Sequence, residues 1–551
     1  MTDSSPRRVL GIEGTAWAAS AAIYDVAADE VTIETEAYQP DSGGIHPREA
    51  AEHMADHVPQ VVERALDSAE GPVDCVAFSR GPGLGPCLRI AGTAARAVAQ
   101  RLDVPLVGVN HMVAHLEIGR HLSGFDSPVC LNASGANAHV LGYRNGRYRV
   151  LGETMDTGVG NAIDKFTRHL GWSHPGGPKV EEAAADGAYI DLPYVVKGMD
   201  FSFSGIMSAA KQAFDDGEAV EDICFSLQEN IFAMLTEVSE RALSLTGNDE
   251  LVLGGGVGQN ARLREMLAEM CDQRGADFYA PAGRFLRDNA GMIAVLGAKM
   301  CAAGDTLAIE ASGIDSNFRP DQVPVTWRGR EQVTAPAGGR AAKPRGDDES
   351  VARQDRPGAD VQGAEATVSF EGDRVLKERR PRSYRHPTLD ERLRRERTRE
   401  ETRLTSEARR AGVSTPVIRD VDARETRIAF QRVGDCDLRE ALTEANVRRV
   451  AEQLATIHDA GFVHGDPTTR NVRVATDSDG PTVFLIDFGL GYYTRHAEDH
   501  AMDLHVLAQS LAGTADDADR LIGAAKETYR DVGDPAVLER LSDIEGRGRY
   551  Q

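Results

Sequence analysis

The sequence predicts an α/β protein of at least two domains, in which a duplicated domain precedes a smaller α+β domain. Three observations support this prediction. The chain has 551 residues, more than one hydrophobic core usually holds. A block of three strands followed by helices occurs twice before residue 320. Over residues 321–360 the sequence changes to Pro, Gly, Arg and Asp without periodicity, which is typical of a linker.

Apolar runs and amphipathic patterns predict the elements of the first domain. The first block is predicted to contain strands 9–12, 18–24 and 31–38, helix 48–68, strand 73–79 and helix 88–102. The second block is predicted to contain strands 128–133, 138–144 and 148–155, with helices from residue 162 onward. Such a repeat predicts two lobes with a cleft between them. After the linker we expect short strands, a basic helical stretch and an α-rich remainder.

The chain is strongly acidic. It carries 62 Lys plus Arg against 86 Asp plus Glu, a formal net charge of −24, and only 8 of the 62 cations are Lys. Few lysines and many carboxylates are typical of proteins that work in very high salt, so we expect a halophilic source. A GC-rich genome would explain the excess of Arg over Lys but not the excess of acid.

The charge is unevenly distributed along the chain. Residues 1–320 have a net charge of −19, whereas residues 374–410 have a net charge of +7. Two interpretations of this basic stretch stay open. It is either a solvated helix with internal ion pairs, or a face that contacts nucleic-acid phosphates through Arg394, Arg395 and Arg397.

Cysteine usage and hydropathy argue against several classes of protein. The 7 cysteines are scattered, with no pair at CxxC spacing, which argues against a disulfide framework and against a zinc ribbon. No apolar run approaches the roughly 20 residues of a membrane-spanning helix, and the first residues lack the apolar segment of a signal peptide. We therefore expect a soluble cytoplasmic protein without a membrane partner.

Two histidines are placed for metal binding. In Asn110-His-Met-Val-Ala-His115, His111 and His115 stand at i and i+4 of a helix predicted to follow strand 105–109, so both imidazoles share one helix face. This spacing suits a divalent metal, although it also arises by chance. A zinc peptidase of the H-E-x-x-H type needs Glu after the first His, where this chain has Met112. The segment favours a metal without favouring that mechanism.

Three glycine-rich turns are suited to binding phosphates, because backbone N–H groups in such turns can approach an anion closely. They are Gly11-Ile-Glu-Gly-Thr15, Ser134-Gly-Ala-Asn137 and Gly254-Gly-Gly-Val-Gly258. The first two follow corresponding strands of the two blocks, and the third precedes a helix that starts near Asn260. With its duplicated strand order, the first domain resembles the actin/Hsp70/sugar-kinase (ASKHA) superfamily.

Six motifs, in order along residues 8–320, carry a closer resemblance. They are Ser79-Arg-Gly-Pro-Gly-Leu-Gly-Pro-Cys-Leu-Arg89, Asn110-His-Met-Val-Ala-His115, Pro175-Gly-Gly-Pro-Lys-Val-Glu181, Phe201-Ser-Phe-Ser-Gly205, Gly254-Gly-Gly-Val-Gly-Gln-Asn260 and Arg287-Asp-Asn-Ala-Gly-Met-Ile293. Together they resemble the TsaD/Gcp family of tRNA threonylcarbamoyladenosine transferases. The resemblance implies transfer of the threonylcarbamoyl group from threonylcarbamoyl-adenylate to N6 of the adenosine 3′ to the anticodon, in tRNAs that read ANN codons.

The same resemblance implies one divalent metal, with iron favoured and zinc as the alternative. His111 and His115 would bind it together with Asp288 of the Arg-Asp-Asn motif. Asn132 stands where the family has a metal-reaching Tyr, and it is predicted as the fourth ligand. The metal would act as a Lewis acid and a template.

The adenylate pocket is also implied by the resemblance. The residues expected to line it are Asn132, Ala133, Ser134, Gly135, Ala136, Asp164, Gly177, Glu181 and Asn260. The family's turn has Gly at the position of Ala136. For Asp164 and Glu181, helix capping or a place on a surface helix is the alternative role.

The second domain carries two protein-kinase signatures. His464-Gly-Asp-Pro-Thr-Thr-Arg-Asn471 is an HxD-x4-N catalytic loop, and Ile486-Asp-Phe-Gly489 follows as the metal loop. In this arrangement Asp466 takes or positions the acceptor's proton, while Asn471 and Asp487 hold Mg²⁺ on the phosphates of ATP. Lys377 is predicted as the strand lysine and Glu401 as its partner on a helix.

Residues 361–551 resemble the small atypical serine/threonine kinase of the KEOPS complex. The resemblance rests on the catalytic loop and on Tyr384-Arg-His-Pro-Thr-Leu-Asp390, Arg395-Glu-Arg-Thr398 and Ala408-Arg-Arg-Ala-Gly-Val413. Its ATP-binding residues would be Gly363, Ala364, Glu365, Ala366, Lys377 and Glu401. The chain after the metal loop is too short for a full peptide-binding lobe, so the domain is better suited to an ATPase switch than to a signalling kinase.

Together these features predict a bifunctional fusion. We expect a transferase domain over residues 1–323, a disordered linker over 324–360 and a kinase domain over 361–551. The expected partners are tRNA, the other small KEOPS subunits and a separate YrdC-type synthase that supplies the adenylate. Two alternatives stay open: a metallopeptidase, or a signalling kinase whose first domain only binds a nucleotide.

Overall fold

The computed structural model describes residues 6–38, 45–329, 361–362, 366–477 and 480–546 of the chain. The first lobe has a sheet of five strands, in the order β3-β2-β1-β4-β5, flanked by helices. Its elements are β1 (Arg8–Glu13), β2 (Ala18–Asp25), β3 (Glu30–Ala37), α1 (Pro47–Asp67), β4 (Cys75–Gly81), α2 (Gly85–Leu102), β5 (Leu106–Asn110) and α3 (His111–Ser123). β2 pairs antiparallel with β1 and β3, whereas β4 pairs parallel with β1 and β5.

The second lobe repeats this topology with the order β12-β11-β6-β7-β8. Its elements are β6 (Val129–Ala133), β7 (Ala138–Arg144), β8 (Arg147–Glu153), α4 (Val159–His169), α5 (Gly177–Ala184), β9 (Val196–Lys197), β10 (Asp200–Phe201), α6 (Ser204–Asp215), α7 (Val220–Thr246), β11 (Glu250–Gly254), α8 (Ala261–Arg274), β12 (Asp277–Tyr279) and α9 (Gly283–Leu286). The following helix, α10 (Ala290–Ala303), returns to the first lobe and packs on β1, β2 and β4. β7 pairs antiparallel with β6 and β8, and β11 pairs parallel with β6 and β12. The predicted duplication is thus confirmed.

Gly11 lies within β1 and has a packing role. A Cβ atom at this position would lie 2.4 Å from the carbonyl oxygen of Ala290, at the start of α10. No real Cβ contact is that short, so only glycine lets α10 pack directly on β1. The turn predicted over residues 11–15 therefore contains a strand residue whose glycine serves the contact between helix and sheet.

The helix α7 is buried along almost its whole length, including polar residues such as Gln228, Glu237 and Arg241. A helix that is buried on all sides must have neighbours all round. Helices α5 and α8 of the first domain and the helix Ala497–Thr514 of the second domain pack around it. The helix therefore belongs to the core of one domain and to the interface with the other.

The first domain continues beyond residue 323. Val325 and Trp327 are buried against its core, and the backbone N–H of Val325 donates to the carbonyl of Gly146 over 2.8 Å. The segment predicted as linker from residue 324 is therefore ordered as far as Trp327. Most of the predicted linker, residues 330–360, lies outside the described residues.

The second domain consists of an antiparallel sheet with a long helix, followed by a helical lobe. The sheet has the order β13-β14-β15-β17-β16. The elements of the whole second domain are β13 (Val361–Gln362), β14 (Thr367–Glu371), β15 (Arg374–Glu378), α11 (Pro387–Arg410), β16 (Ile418–Asp422), β17 (Arg427–Gln431), β18 (Cys436–Asp437), α12 (Glu444–Asp459), β19 (Phe462–Val463), β20 (Val472–Asp477), β21 (Gly480–Leu485), β22 (Tyr492–Tyr493), α13 (Ala497–Thr514), α14 (Ala518–Val532) and α15 (Pro535–Gly546). This is the predicted bilobal α+β arrangement.

Buried ion pairs join the two domains along α7. Arg385 lies 2.6 Å from Glu237, and Arg397 lies 3.0 Å from it, while Arg382 lies 3.2 Å from Glu240. Both glutamates are about 1 % exposed at most. Burial alone would raise the pKa of Glu237, but Arg397 and Arg385 lower it well below its usual range. The basic stretch of the second domain thus neutralises buried carboxylates of the first.

The interpretation of this stretch as a phosphate-contacting face is therefore wrong for Arg397, whereas Arg394 and Arg395 form the internal ion pairs of the alternative interpretation. Arg397 is buried against Glu237, and Arg394 is mostly buried and lies 2.6 Å from Asp390. Arg395 stays half-exposed, paired with Glu391 at 2.6 Å. A helix pattern shows which residues share a face, but not that another domain covers the face.

A second interdomain contact contains a carboxyl group with a strongly raised pKa. Asp200 of β10 accepts from the backbone N–H of Glu153 (2.8 Å) and from Gln509 of α13 (3.3 Å), and His505 lies 3.6 Å away. Burial raises the pKa of Asp200 from 3.8 to about 6; the nearby charge of Glu153 adds to this, and His505 opposes it. The charged form of Asp200 is therefore disfavoured in the folded protein.

We expect the Asp200→Asn variant to be more stable than the parent protein at pH 7.5, by roughly 1–3 kcal/mol. Ionised Asp200 costs stability above pH 6, and this cost disappears as the pH falls from 6 towards 3.8, where the unfolded chain also binds the proton. Urea unfolding at pH 7.5 and at pH 4.5 measures the effect. The advantage of the variant should shrink at the lower pH, and a less stable variant at pH 7.5 would contradict the assignment.

Candidate active sites

The histidine pair lies where a strand of the first sheet passes into a helix. β5 ends at Asn110 and α3 starts at His111. The side chain of Asn110 caps the helix, accepting from the backbone N–H groups of Met112 (3.0 Å) and Val113 (3.1 Å). This cap fixes the first turn, so His111 and His115 stand one turn apart with their ring centroids 4.8 Å apart.

Asp288 completes a three-residue cluster. Its Oδ1 lies 3.2 Å from Nε2 of His111 and 3.6 Å from Nε2 of His115. One ligand atom from each of the three residues lies within 4.8 Å of the others, with the histidines buried. Such a spacing is compatible with a single ion held by two imidazoles and a carboxylate.

Glu13 supports the cluster and was not predicted from the sequence. Its Oε2 lies 3.1 Å from Nδ1 of His111, and its Oε1 accepts from the backbone N–H of Thr15. A carboxylate on the second nitrogen of a metal-binding histidine fixes the ring and its tautomer. Burial would lower the pKa of His111, but Glu13 and Asp288 together raise it to about 10. The only sequence signal was the position of Glu13 in the first glycine-rich turn.

Orphaned polar atoms at the cluster fit a bound cation. Both ring nitrogens of His115 are buried, and among the described residues neither has a hydrogen-bond partner. Oδ1 of Asn132 is likewise buried without a partner in the described chain. Buried polar atoms are rarely left unsatisfied, so the residues present fit a divalent metal. Whether Asn132 contributes a ligand stays a prediction.

The turn over residues 132–136 packs on the start of α4. Ser134 closes it by exchanging hydrogen bonds with Asn137, and the backbone N–H groups of Gly160 and Asn161 donate to the carbonyls of Ser134 and Gly135. Ala133 is fully buried. Ala136 does not have a positive φ, so this turn needs no glycine there.

The other residues predicted for the adenylate pocket make hydrogen bonds within the second lobe. Asp164 accepts from the backbone N–H of Gly176 (2.7 Å), and Glu181 accepts from that of Ala261 (2.8 Å). Asn260 caps α8 and donates to Gln228 of α7 over 2.9 Å. The contacts of Asp164 and Glu181 thus fit their alternative role, the capping of helices. Their role towards a ligand stays a prediction.

Trp17 connects the two lobes across the cleft. Its ring stacks on His174, with centroids 4.9 Å apart and planes within 6°. His174 also lies 3.2 Å from Asp164, one of the predicted pocket residues. This aromatic pair thus joins the two lobes beside a residue predicted for the adenylate pocket.

Glu181 also lines a cavity between the two domains. The cavity has a volume of about 740 Å³ and opens between α5, α7 and α8 on one side and the segment before α11 on the other. Arg262, Arg385 and His386 contribute to its wall. The predicted adenylate pocket therefore borders on the second domain.

A Gly177→Ala exchange tests the pocket without disturbing the fold. An added Cβ would meet no atom within 4 Å, and φ of Gly177 is not positive, so the helix α5 should tolerate alanine. If the adenylate occupies this space, the methyl group should raise its KM about tenfold. The matched control is Gly523→Ala, which also adds a methyl group in open space, in α14. Equal KM values for both variants would remove Gly177 from the pocket.

In the second domain, the structure brings together the lysine, the glutamate and the metal-loop aspartate. Nζ of Lys377 lies 2.9 Å from Glu401 and 2.7 Å from Asp487. Arg379 adds a 2.6 Å contact to Glu401. Burial alone would raise the pKa of Asp487, but Lys377 and Arg379 lower it well below its usual range. These two cations therefore favour the ionised form of the carboxylate.

The catalytic loop is ordered by its own side chains. Asn471 donates to Oδ2 and to the backbone carbonyl of Asp466, in both cases over 2.8 Å. Burial raises the pKa of Asp466 to about 6, although the neighbouring Arg241 opposes this shift. Arg241 belongs to α7 of the first domain, and no local sequence signal connects it with the loop.

Most of the predicted nucleotide loop lies outside the residues that the structure describes. Gly363, Ala364 and Glu365 lie outside the described residues, whereas Ala366 is buried directly before β14. Its part in ATP binding therefore stays a prediction, as do those of Lys377, Glu401, Asn471 and Asp487.

Fold and geometry define a two-domain enzyme that joins an ASKHA-type domain to a kinase-like domain. Residues 27–295 match the TsaD family of tRNA N6-adenosine threonylcarbamoyltransferases, and residues 417–529 match the lipopolysaccharide kinase (Kdo/WaaP) family. A probable bifunctional tRNA threonylcarbamoyladenosine biosynthesis protein from Haloarcula marismortui is 71% identical over 99% of this chain and 100% of its own length.

Similarly named relatives extend this match. The protein from Halobacterium salinarum is 68% identical, and that from Methanocorpusculum labreanum is 49% identical, each over 99% of both chains. The chain therefore belongs to the family of bifunctional tRNA threonylcarbamoyladenosine biosynthesis proteins. It has a threonylcarbamoyltransferase domain and a kinase-like domain, as predicted.

Neither alternative, the metallopeptidase or the signalling kinase, is supported by these comparisons. In the part of the chain that the structure describes, no helix has both the length and the apolar character to cross a membrane.

Proposed function

We propose that the first domain transfers a threonylcarbamoyl group from its adenylate to N6 of the adenosine 3′ to the anticodon in tRNAs that read ANN codons. The convergence of His111, His115 and Asp288 at the end of β5 carries this proposal. These residues would hold a divalent metal, which supplies Lewis-acid stabilisation of charge that develops on the acyl group. Two imidazoles and a carboxylate suit both iron and zinc, and the family resemblance favours iron.

The residues of this chain orient the reactants. Asp164, Gly177, Glu181 and Asn260 would hold the adenosine of the adenylate, and the turn over residues 132–136 would face its phosphate with backbone N–H groups. The N6 amine attacks the acyl carbon, the bond from this carbon to the phosphate oxygen breaks, AMP leaves, and the amine loses a proton. An acyl-adenylate already has a good leaving group, so positioning supplies much of the required catalysis.

The second domain is proposed to hydrolyse ATP with Mg²⁺ and to support the transfer. Lys377, which is fixed by Glu401, would contact the phosphates, and Asn471 and Asp487 would bind the magnesium ion. Asp466 would position the acceptor. The contacts of Lys377 and of Asn471 described above support this assignment. The proposed partners are tRNA, the small KEOPS subunits and a YrdC-type synthase that supplies the adenylate.

Reconstitution tests this function. The full chain is purified, its metal is identified by elemental analysis, and it is combined with tRNA, threonine, bicarbonate, ATP, the synthase and the small subunits. We expect threonylcarbamoyladenosine to form in tRNAs that read ANN codons, and to form only when the chain is present. A complete mixture with metal-loaded protein that leaves the tRNA unmodified would overturn the proposal.

A further inference from the structure

Arg241 of the first domain reaches the catalytic loop of the second. Its Nη1 lies 3.2 Å from Oδ2 of Asp466, and its Nη2 lies 2.9 Å from Glu237, one turn earlier on α7. Its side chain is only 6% exposed. Because Glu237 anchors the guanidinium within its own helix, the position of Arg241 at Asp466 is determined by the first domain.

The two oxygens of Asp466 have different surroundings. Oδ2 accepts from Arg241 and from Asn471, whereas Oδ1 is buried and has no hydrogen-bond partner among the described residues. Two donors on one oxygen restrict the rotation of the carboxylate. The other oxygen, Oδ1, is then left to orient a small molecule that accepts the phosphoryl group.

We propose that Arg241 is a positioning residue for ATP hydrolysis, which fixes Asp466 so that its Oδ1 orients the attacking water. This inference rests on the ATP hydrolysis proposed above. The water oxygen bonds to the γ-phosphorus, the bond from this phosphorus to the β–γ bridging oxygen breaks, and ADP leaves. The proton lost by the water passes to solvent.

The packing of the first domain beside the catalytic loop also favours water over a larger phosphoryl acceptor. Arg241 donates to the carbonyl of Gly198 as well as to Asp466, so the segment between β9 and β10 lies beside the loop. Lys197 of this segment pairs with Asp499 of α13 over 2.7 Å. With the first domain packed here, a protein substrate would have to displace it to present a hydroxyl group to Asp466, whereas water would not.

The test compares three variants of the full chain with the parent protein. Arg241→Met removes the donor, and Arg241→Lys keeps a cation. Lys197→Met breaks a neighbouring interdomain ion pair that does not involve Asp466. Glu237 keeps Arg385 and Arg397 as partners in the Arg241 variants, so we expect the domains to fold and stay packed, and thermal unfolding checks this.

We expect Arg241→Met to lower kcat for ATP hydrolysis about 10- to 100-fold while KM for ATP is nearly unchanged, because positioning is lost and ATP binding is not. Arg241→Lys should restore part of kcat, and Lys197→Met should match the parent protein. Hydrolysis by Arg241→Met at or above the parent rate would overturn the inference, as would an equal loss in Lys197→Met. A parent protein whose hydrolysis is absent, or insensitive to Asp487→Asn, would instead refute the proposed ATPase function.

Discussion

Replacing Asp288 by Ala should abolish threonylcarbamoyl transfer, with a loss of at least about 100-fold, and should leave the purified protein with little metal. Asp288 is the only carboxylate in the cluster of three that the described residues form. Without it, two buried imidazoles would remain to hold a dication. Elemental analysis and the transfer assay measure the two effects separately.

The matched control for Asp288→Ala is His121→Ala. His121 lies on the same helix as the histidine pair but contacts Asp29, at 2.8 Å, instead of the cluster. This variant should keep its metal and its transfer activity. Glu13→Gln should fall between the two, with metal affinity lowered roughly 10- to 100-fold, because it removes the support of His111 and not a ligand. An Asp288→Ala protein that retains stoichiometric metal would refute the site.

The Asp466→Asn variant is expected to lose ATP hydrolysis by about 1,000-fold and to reduce modification strongly in the assembled complex. Asparagine has nearly the same shape, and Arg241 keeps its contact with Glu237 at 2.9 Å, so the interface should stay intact. Asp459→Asn, at the exposed end of α12, serves as the control and should behave like the parent protein. Modification that continues at the parent rate while hydrolysis is lost would separate the second domain from the reaction.

The fold was largely predictable because its signals are local. Each strand of the two blocks shows its own apolar pattern, and the repeat of these patterns revealed the duplication before any contact was known. The histidine pair was also predictable, since i and i+4 positions share a helix face in any helix. Asp288 could be assigned only through a family motif, because the spacing along the chain says nothing about which residues meet at the ends of strands.

The remaining features depend on contacts between distant segments. Arg241 and Asp466 come from different domains, and an isolated arginine within an apolar helix pattern has no distinguishing signal. The same reason explains why the sequence left the place of Arg397 open, since nothing local indicates that Glu237 of the first domain covers it. Trp327 falls within the predicted linker because residues 321–360 are rich in Pro, Gly, Arg and Asp and lack periodicity, although its ring packs on the core of the first domain.

The helix α7 contacts residues of both candidate active sites. Gln228 near its start holds Asn260, and Arg241 near its end holds Asp466. The two side chains are separated by about 20 Å of continuous helix at 1.5 Å per residue. A tilt of α7, or a shift of α7 along its axis, would displace these two side chains together. If ATP and the adenylate both favour the same position of α7, each ligand must increase the affinity of the protein for the other ligand by the same factor.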